Sequence, residues 1–139
     1  MRRTSIERYA ATRGLAVIMP NVHRSFYHDM VSGYPFNTFF RKELPVLMAD
    51  MLNLSTKPED QFIAGLSMGG YGALRLALEE PGRYAAAASL SGVVDLAGLI
   101  DDRADDPAEI REMTGIFGDP GAVRGSDADL FRLVDRTVE

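Results

Sequence analysis

The chain has 139 residues, 46% hydrophobic and 25% charged, the make-up of a single ordinary globular domain. Fifteen Lys and Arg against 20 Asp and Glu leave a net charge of −5, which argues against a nucleic-acid partner held by a general basic surface. The lack of cysteine excludes disulfides, thiolate metal sites and a Cys nucleophile, and no apolar run approaches the ~20 residues of a membrane span.

The N-terminus, MRRTSIERYAATRG, is basic without the apolar core of a secretory signal. A cytoplasmic location is expected, with an amphipathic targeting segment as the alternative. Residues 5–13 are predicted to form a short helix, capped by Thr4 or Ser5 and stopped at Gly14. Leu15 to Met19 is an unbroken apolar run ended by Pro20, the pattern of a strand covered on both faces. A polar and aromatic loop over 21–35 carries both histidines, His23 and His28.

Asn37 or Thr38 is expected to cap a helix reaching Leu52, with Phe40, Leu44, Leu47, Met48, Met51 and Leu52 at helical spacing. Pro45 should kink it or mark a break near its first turns. A second strand is predicted over 61–65, a helix over 68–79 stopped by Pro81 and Gly82, and a third strand over 84–90. Beyond Ser91 and Gly92 lie a loop, a helix near 108–115 and a last helix near 127–135. Strands alternating with crossover helices predict a doubly wound, mostly parallel α/β sheet. Three strands make a narrow sheet with two open edges, so the chain reads as the middle of a larger domain.

The motif that carries chemistry is Gly65-Leu66-Ser67-Met68-Gly69, set where a strand becomes a helix. A sharp strand-to-helix turn lifts a serine hydroxyl clear of the sheet, and glycines on either side leave room for the backbone to fold tightly. The helix start then supplies free N–H groups, that of Met68 serving as a donor to a developing oxyanion. A phosphate cradle is the alternative, but the P-loop lysine is missing and the glycine spacing does not fit a dinucleotide fingerprint.

The stretch AGLSMGGYGALRLALEEPGRYAAAASLSG resembles the nucleophile elbow of the esterase family of α/β-hydrolases. That family includes esterase D, S-formylglutathione hydrolase, tributyrin esterase and the mycolyltransferases. VIMPNVHRSFYHDM, FFRKELPVLMADML and GIFGDPGAVRGSDADLFRLV resemble further blocks of it, the last a Phe-Gly-Asp and Asp-Leu segment of its tributyrin-esterase branch. The resemblance implies an α/β-hydrolase fold, incomplete at both ends, with 1–139 as a single partial domain and its elbow at 65–69. It implies hydrolysis of short-acyl esters through an acyl-serine on Ser67, with a small-molecule ester as partner and neither cofactor nor metal. An acyltransferase of the same family and a non-catalytic binding domain are the alternatives.

A serine hydroxyl needs a base. The family order is Ser, then Asp or Glu, then His, yet no histidine follows Ser67. The triad acid and base, and the early loop bearing the second oxyanion donor, are therefore expected outside this chain. His23 and His28 are expected to shape the pocket rim or face solvent, with the role of base as the other reading. Asp95 is expected to cap the segment after it. Phe26, Tyr27 and Tyr34 are candidates to line the substrate pocket or, equally, to cover the core under the long loop. Asp101, Asp102, Asp105 and Asp106, with Arg103 among them, read as a solvated loop rather than a metal site. Residues 1–139 alone are expected to be poorly soluble, molten or oligomeric through open sheet edges, and inactive.

Overall fold

The structure is a computed structural model and describes residues 5–138. Two parallel strands, β1 (Phe62–Leu66) and β2 (Ala86–Leu90), pair in register from Phe62 opposite Ala86 to Leu66 opposite Leu90. Helix α4 (Met68–Glu79) connects them, so β1, α4 and β2 form a βαβ unit. Ile63 and Gly65 of β1 turn toward cover, while Phe62 and Leu66 on the opposite face are exposed. β1 is thus covered on one face only, because among the described residues nothing packs on the other.

Before the sheet come α1 (Ile6–Ala11), α2 (Phe36–Thr38), a π-helical turn over Phe39–Glu43 and α3 (Leu44–Leu52). After it come α5 (Leu96–Asp102), α6 (Pro107–Phe117) and α7 (Leu130–Val138). Helix α5 has no counterpart in the sequence reading. The core lies where α4 meets these three helices, with Tyr71, Leu76, Leu96, Ile116 and Val123 almost wholly buried.

Two expectations are corrected. The run Leu15 to Met19 is irregular and not a strand, with Leu15 and Met19 about half exposed, since no neighbouring strand offers it a ladder among the described residues. Neither Asn37 nor Thr38 caps the following helix. Asn37 is buried and donates to Glu79 Oε2 at 2.9 Å, while the N–H and hydroxyl of Thr38 both donate to the Asp29 carboxylate, at 2.8 and 2.6 Å. Leu47, Met51 and Leu52 are exposed, so much of the apolar face of α3 is uncovered.

Pro45 acts through the turn ahead of it. Proline has no N–H and its ring crowds the carbonyl four residues earlier. The chain answers with the wider π-helical turn over 39–43, and the Arg41 carbonyl accepts from Arg83 at 3.0 Å instead. Of the two candidate N-caps of α1, Ser5 holds that position without a side-chain bond, and Thr4 lies outside the described residues. Asp95 caps α5 as expected, accepting from the Gly98 N–H at 2.8 Å.

Candidate active site

Ser67 stands between β1 and α4 with φ 54° and ψ −118°, a left-handed backbone that a non-glycine residue adopts only where its surroundings impose it. Its N–H donates to the Leu90 carbonyl at 3.0 Å, and its carbonyl accepts from the Tyr71 N–H at 3.1 Å. The turn is therefore held from β2 on one side and from α4 on the other. The side chain is exposed and does not cap the helix it precedes, so its hydroxyl is free for chemistry.

The glycines make this turn sterically possible. A Cβ on Gly65 would lie 2.1 Å from both the carbonyl carbon and oxygen of Gly69. One on Gly70 would lie 2.6 Å from Ser89 Oγ and 2.8 Å from the Gly92 Cα, so only glycine lets the first turn of α4 settle on the end of β2. At Gly69 a Cβ would meet only the Tyr27 hydroxyl, at 3.4 Å. The first N–H groups of α4, beginning with Met68, have no carbonyl partner within the helix and stand at its positive end.

His28 is a core residue and not a rim residue. Its Nε2 lies 2.9 Å from the Tyr71 hydroxyl, which itself donates to the Ala128 carbonyl at 2.7 Å. The phenol oxygen thus accepts from the His28 Nε2–H. Burial, with the positive charge of Arg75 adding to it, pushes the imidazole down to about 2. A buried, neutral ring bonded to Tyr71 is not the base that takes a proton from Ser67. His23 is exposed, with its ring tilted 6.0 Å from that of Phe36, and it makes no hydrogen bond to Ser67.

The depressed His28 sets a pH dependence. The folded protein binds this proton far less readily than the unfolded chain does. Its contribution is complete above the unfolded pKa of ~6.5 and is lost as pH falls toward the folded value, at ~1.4 kcal/mol per pH unit. Chemical denaturation between about pH 6.5 and 4.5, above most of the carboxylate range, should show that slope. His28→Gln, which keeps a donor toward Tyr71, should flatten it.

The other candidates divide. Phe26 is buried in the core with its ring edge-on to Tyr71 at 5.8 Å, whereas Tyr34 is half exposed against Phe36 at 5.2 Å. Tyr27 is half-buried and reaches α4. Two of the acidic residues near 101–106 are spent locally: Asp101 pairs with Arg124 at 2.9 Å and Asp106 caps α6. Among the described residues no group of three or more His, Asp or Glu converges as an ion site, and no helix is long and apolar enough to cross a membrane.

Sequence reasoning missed an ionic layer beside the elbow helix. Arg75 is buried, pairs with Glu79 at 2.8 Å and donates to the Tyr27 carbonyl at 2.8 Å. Its signal was the four-residue spacing of Arg75 and Glu79. Arg41 bonds Glu80 at 2.6 Å, and Arg83 bonds the same carboxylate. Burial alone would raise the Asp29 carboxyl, but the hydrogen bonds from Thr38 and Asn37 and the charge of Arg75 hold it below the usual range.

A strained serine on a strand-to-helix turn, glycines where side chains would collide and a free helix N-terminus coincide at one point. A family model described as Putative esterase matches residues 4–124. The chain belongs to that family. An acetyl esterase of Caldicellulosiruptor saccharolyticus is 32% identical over 126 residues, spanning 88% of this chain and 47% of the relative. A diacylglycerol acyltransferase/mycolyltransferase, Ag85B of Mycobacterium leprae, is 32% identical over 82% of this chain and 35% of its own length. Among solved structures, the fluorophosphonate-binding serine hydrolase FphF of Staphylococcus aureus superposes with a TM-score of 0.86 at 38% identity, covering 99% of this chain and 52% of that one. The fold is that of an α/β-hydrolase, and the chain spans about half the length of the relatives it matches, or less.

Proposed function

We propose that residues 1–139 form part of one α/β-hydrolase domain of a serine carboxylesterase, with Ser67 as its nucleophile. The observation that carries this is the left-handed backbone of an exposed Ser67 between β1 and α4, at a turn that only glycine at 65 permits. The Ser67 hydroxyl oxygen attacks the ester carbonyl carbon while a base takes its proton. The carbonyl electron pair moves onto oxygen and is met by the Met68 N–H at the head of α4. The oxyanion collapses, the alcohol leaves with the proton, and the acyl-serine is hydrolysed by water. Short acyl groups fit the likeness to an acetyl esterase. The acid and base of the triad come from outside these residues, because His28 is committed to Tyr71 and His23 makes no bond to Ser67.

A second reading keeps the acyl-serine and changes its acceptor, and the mycolyltransferase relative favours it. Product analysis in the full-length protein separates the two. With a short-chain p-nitrophenyl ester and a competing alcohol or sugar, hydrolysis should account for most of the product. Predominant acyl transfer to the added acceptor would assign the protein to the second reading.

A further inference from the structure

Phe26 and His28 of the long loop over 21–35 pack on Tyr71, and Tyr27 is the loop residue that lies against the glycines Gly69 and Gly72 of the elbow helix. Its ring lies where a side chain on Gly72 would be, since a Cβ there would fall 2.3 Å from the ring carbon Cδ2. Its hydroxyl reaches back to Gly69, two residues after Ser67. The ring is also edge-on to Phe40 at 5.2 Å, which fixes it from the outer side.

This placement requires an unusual backbone. His23, Phe26 and Tyr27 all have positive φ, at 51°, 48° and 60°. Such strain persists only where neighbouring groups over-determine it. Two groups do so at Tyr27. The buried Ser25 hydroxyl accepts from the Tyr27 N–H at 3.1 Å, and the buried Arg75 guanidinium donates to the Tyr27 carbonyl at 2.8 Å. Arg75 is itself held by Glu79, whose second oxygen accepts from Asn37. Yet the Arg75 Nε is buried without a partner among the described residues, a cost to stability. A guanidinium kept under those terms is better explained by where it places Tyr27 than by what it adds to folding.

We infer that Arg75 and Tyr27 are positioning residues for Ser67. Arg75 fixes the strained loop so that the Tyr27 ring and hydroxyl buttress the first two turns of α4. The first turn of a helix has no preceding turn to hold it, and here it carries the Met68 N–H aimed at the oxyanion. A displacement of this turn by a fraction of an ångström misaligns the donor with the reacting carbonyl, and displacements near 1 Å can cost roughly 100-fold in rate.

The inference rests on Ser67 being the nucleophile, and the experiment separates the two claims. Full-length protein and its Arg75→Lys, Arg75→Met, Tyr27→Phe and Ser67→Ala variants are titrated with a fluorophosphonate to count competent serines. Turnover of a short-chain p-nitrophenyl ester is then expressed per titrated site. Lysine reaches the Tyr27 carbonyl but cannot hold Glu79 in the same fork. Arg75→Lys should lower kcat per site about 10-fold with KM within twofold, Arg75→Met should lower it further, and Tyr27→Phe should lower it with little change in melting temperature. A merely structural role would reduce the titratable fraction and the melting temperature and leave kcat per site unchanged. A per-site kcat within twofold of the parent in either Arg75→Lys or Tyr27→Phe overturns the inference, and if the Arg75 variants do not fold, Tyr27→Phe decides. A Ser67→Ala variant that still titrates and turns over would instead overturn the nucleophile assignment.

Discussion

Ser67→Ala in the full-length protein is expected to lower ester turnover by roughly 10⁴-fold or more while leaving the melting temperature close to the parent value. On the proposed mechanism the loss is large because the attacking oxygen is that of Ser67: without it the acyl-serine does not form, and only direct attack by water remains. Folding should be spared because the Ser67 side chain is exposed and makes no capping bond, while the contacts that hold the turn are made by its backbone. Alanine keeps the N–H that bonds Leu90 and the carbonyl that accepts from Tyr71. Steady-state kinetics on a short-chain p-nitrophenyl ester, paired with a thermal melt, checks both halves of this expectation. Turnover within tenfold of the parent would remove Ser67 from the mechanism.

The largest structural effect is expected at Gly65. An alanine there would set its methyl carbon 2.1 Å from two backbone atoms of Gly69, a separation no side-chain rotation can relieve. Either β1 must draw away from α4 or the first turn of the helix must unwind. The first loses the strand–helix packing, and the second loses the alignment of the Met68 N–H. We expect Gly65→Ala to cost about 3 kcal/mol and to abolish turnover in whatever fraction remains folded. Gly69→Ala serves as the contrast, because its added carbon meets only the Tyr27 hydroxyl. Denaturant midpoints for the two variants should differ clearly, with Gly69→Ala much nearer the parent.

The elbow was legible because its residue types answer to local sterics. The strand, the tight turn and the helix from Met68 to Glu79 follow from the apolar run, the spacing of glycines and the stop at Pro81, and the structure reproduces that helix residue for residue. The run Leu15 to Met19 was misread for the opposite reason. Apolar character shows that a segment can be buried in a sheet, but a strand exists only where a neighbour pairs with it. The break at Pro45 was foreseen, whereas the π-helical form it takes depends on Arg83 arriving from 42 residues away to satisfy a carbonyl. His28 sat in a loop rich in polar residues and looked like a rim or solvent-facing group, while Phe26 was left equally between lining the pocket and covering the core, and it covers the core. Their burial depends on Tyr71 and Phe117, contacts that sequence spacing does not encode.

The identity of the nucleophile is tested most directly by peptide mapping of the full-length protein after reaction with a fluorophosphonate. The account predicts a single phosphonylated residue per chain, in the peptide containing Gly65 to Gly69 and on Ser67, with ester turnover lost in proportion to labelling. Turnover that survives complete labelling of Ser67, or a protein that hydrolyses esters with its adduct on a different residue, would contradict it.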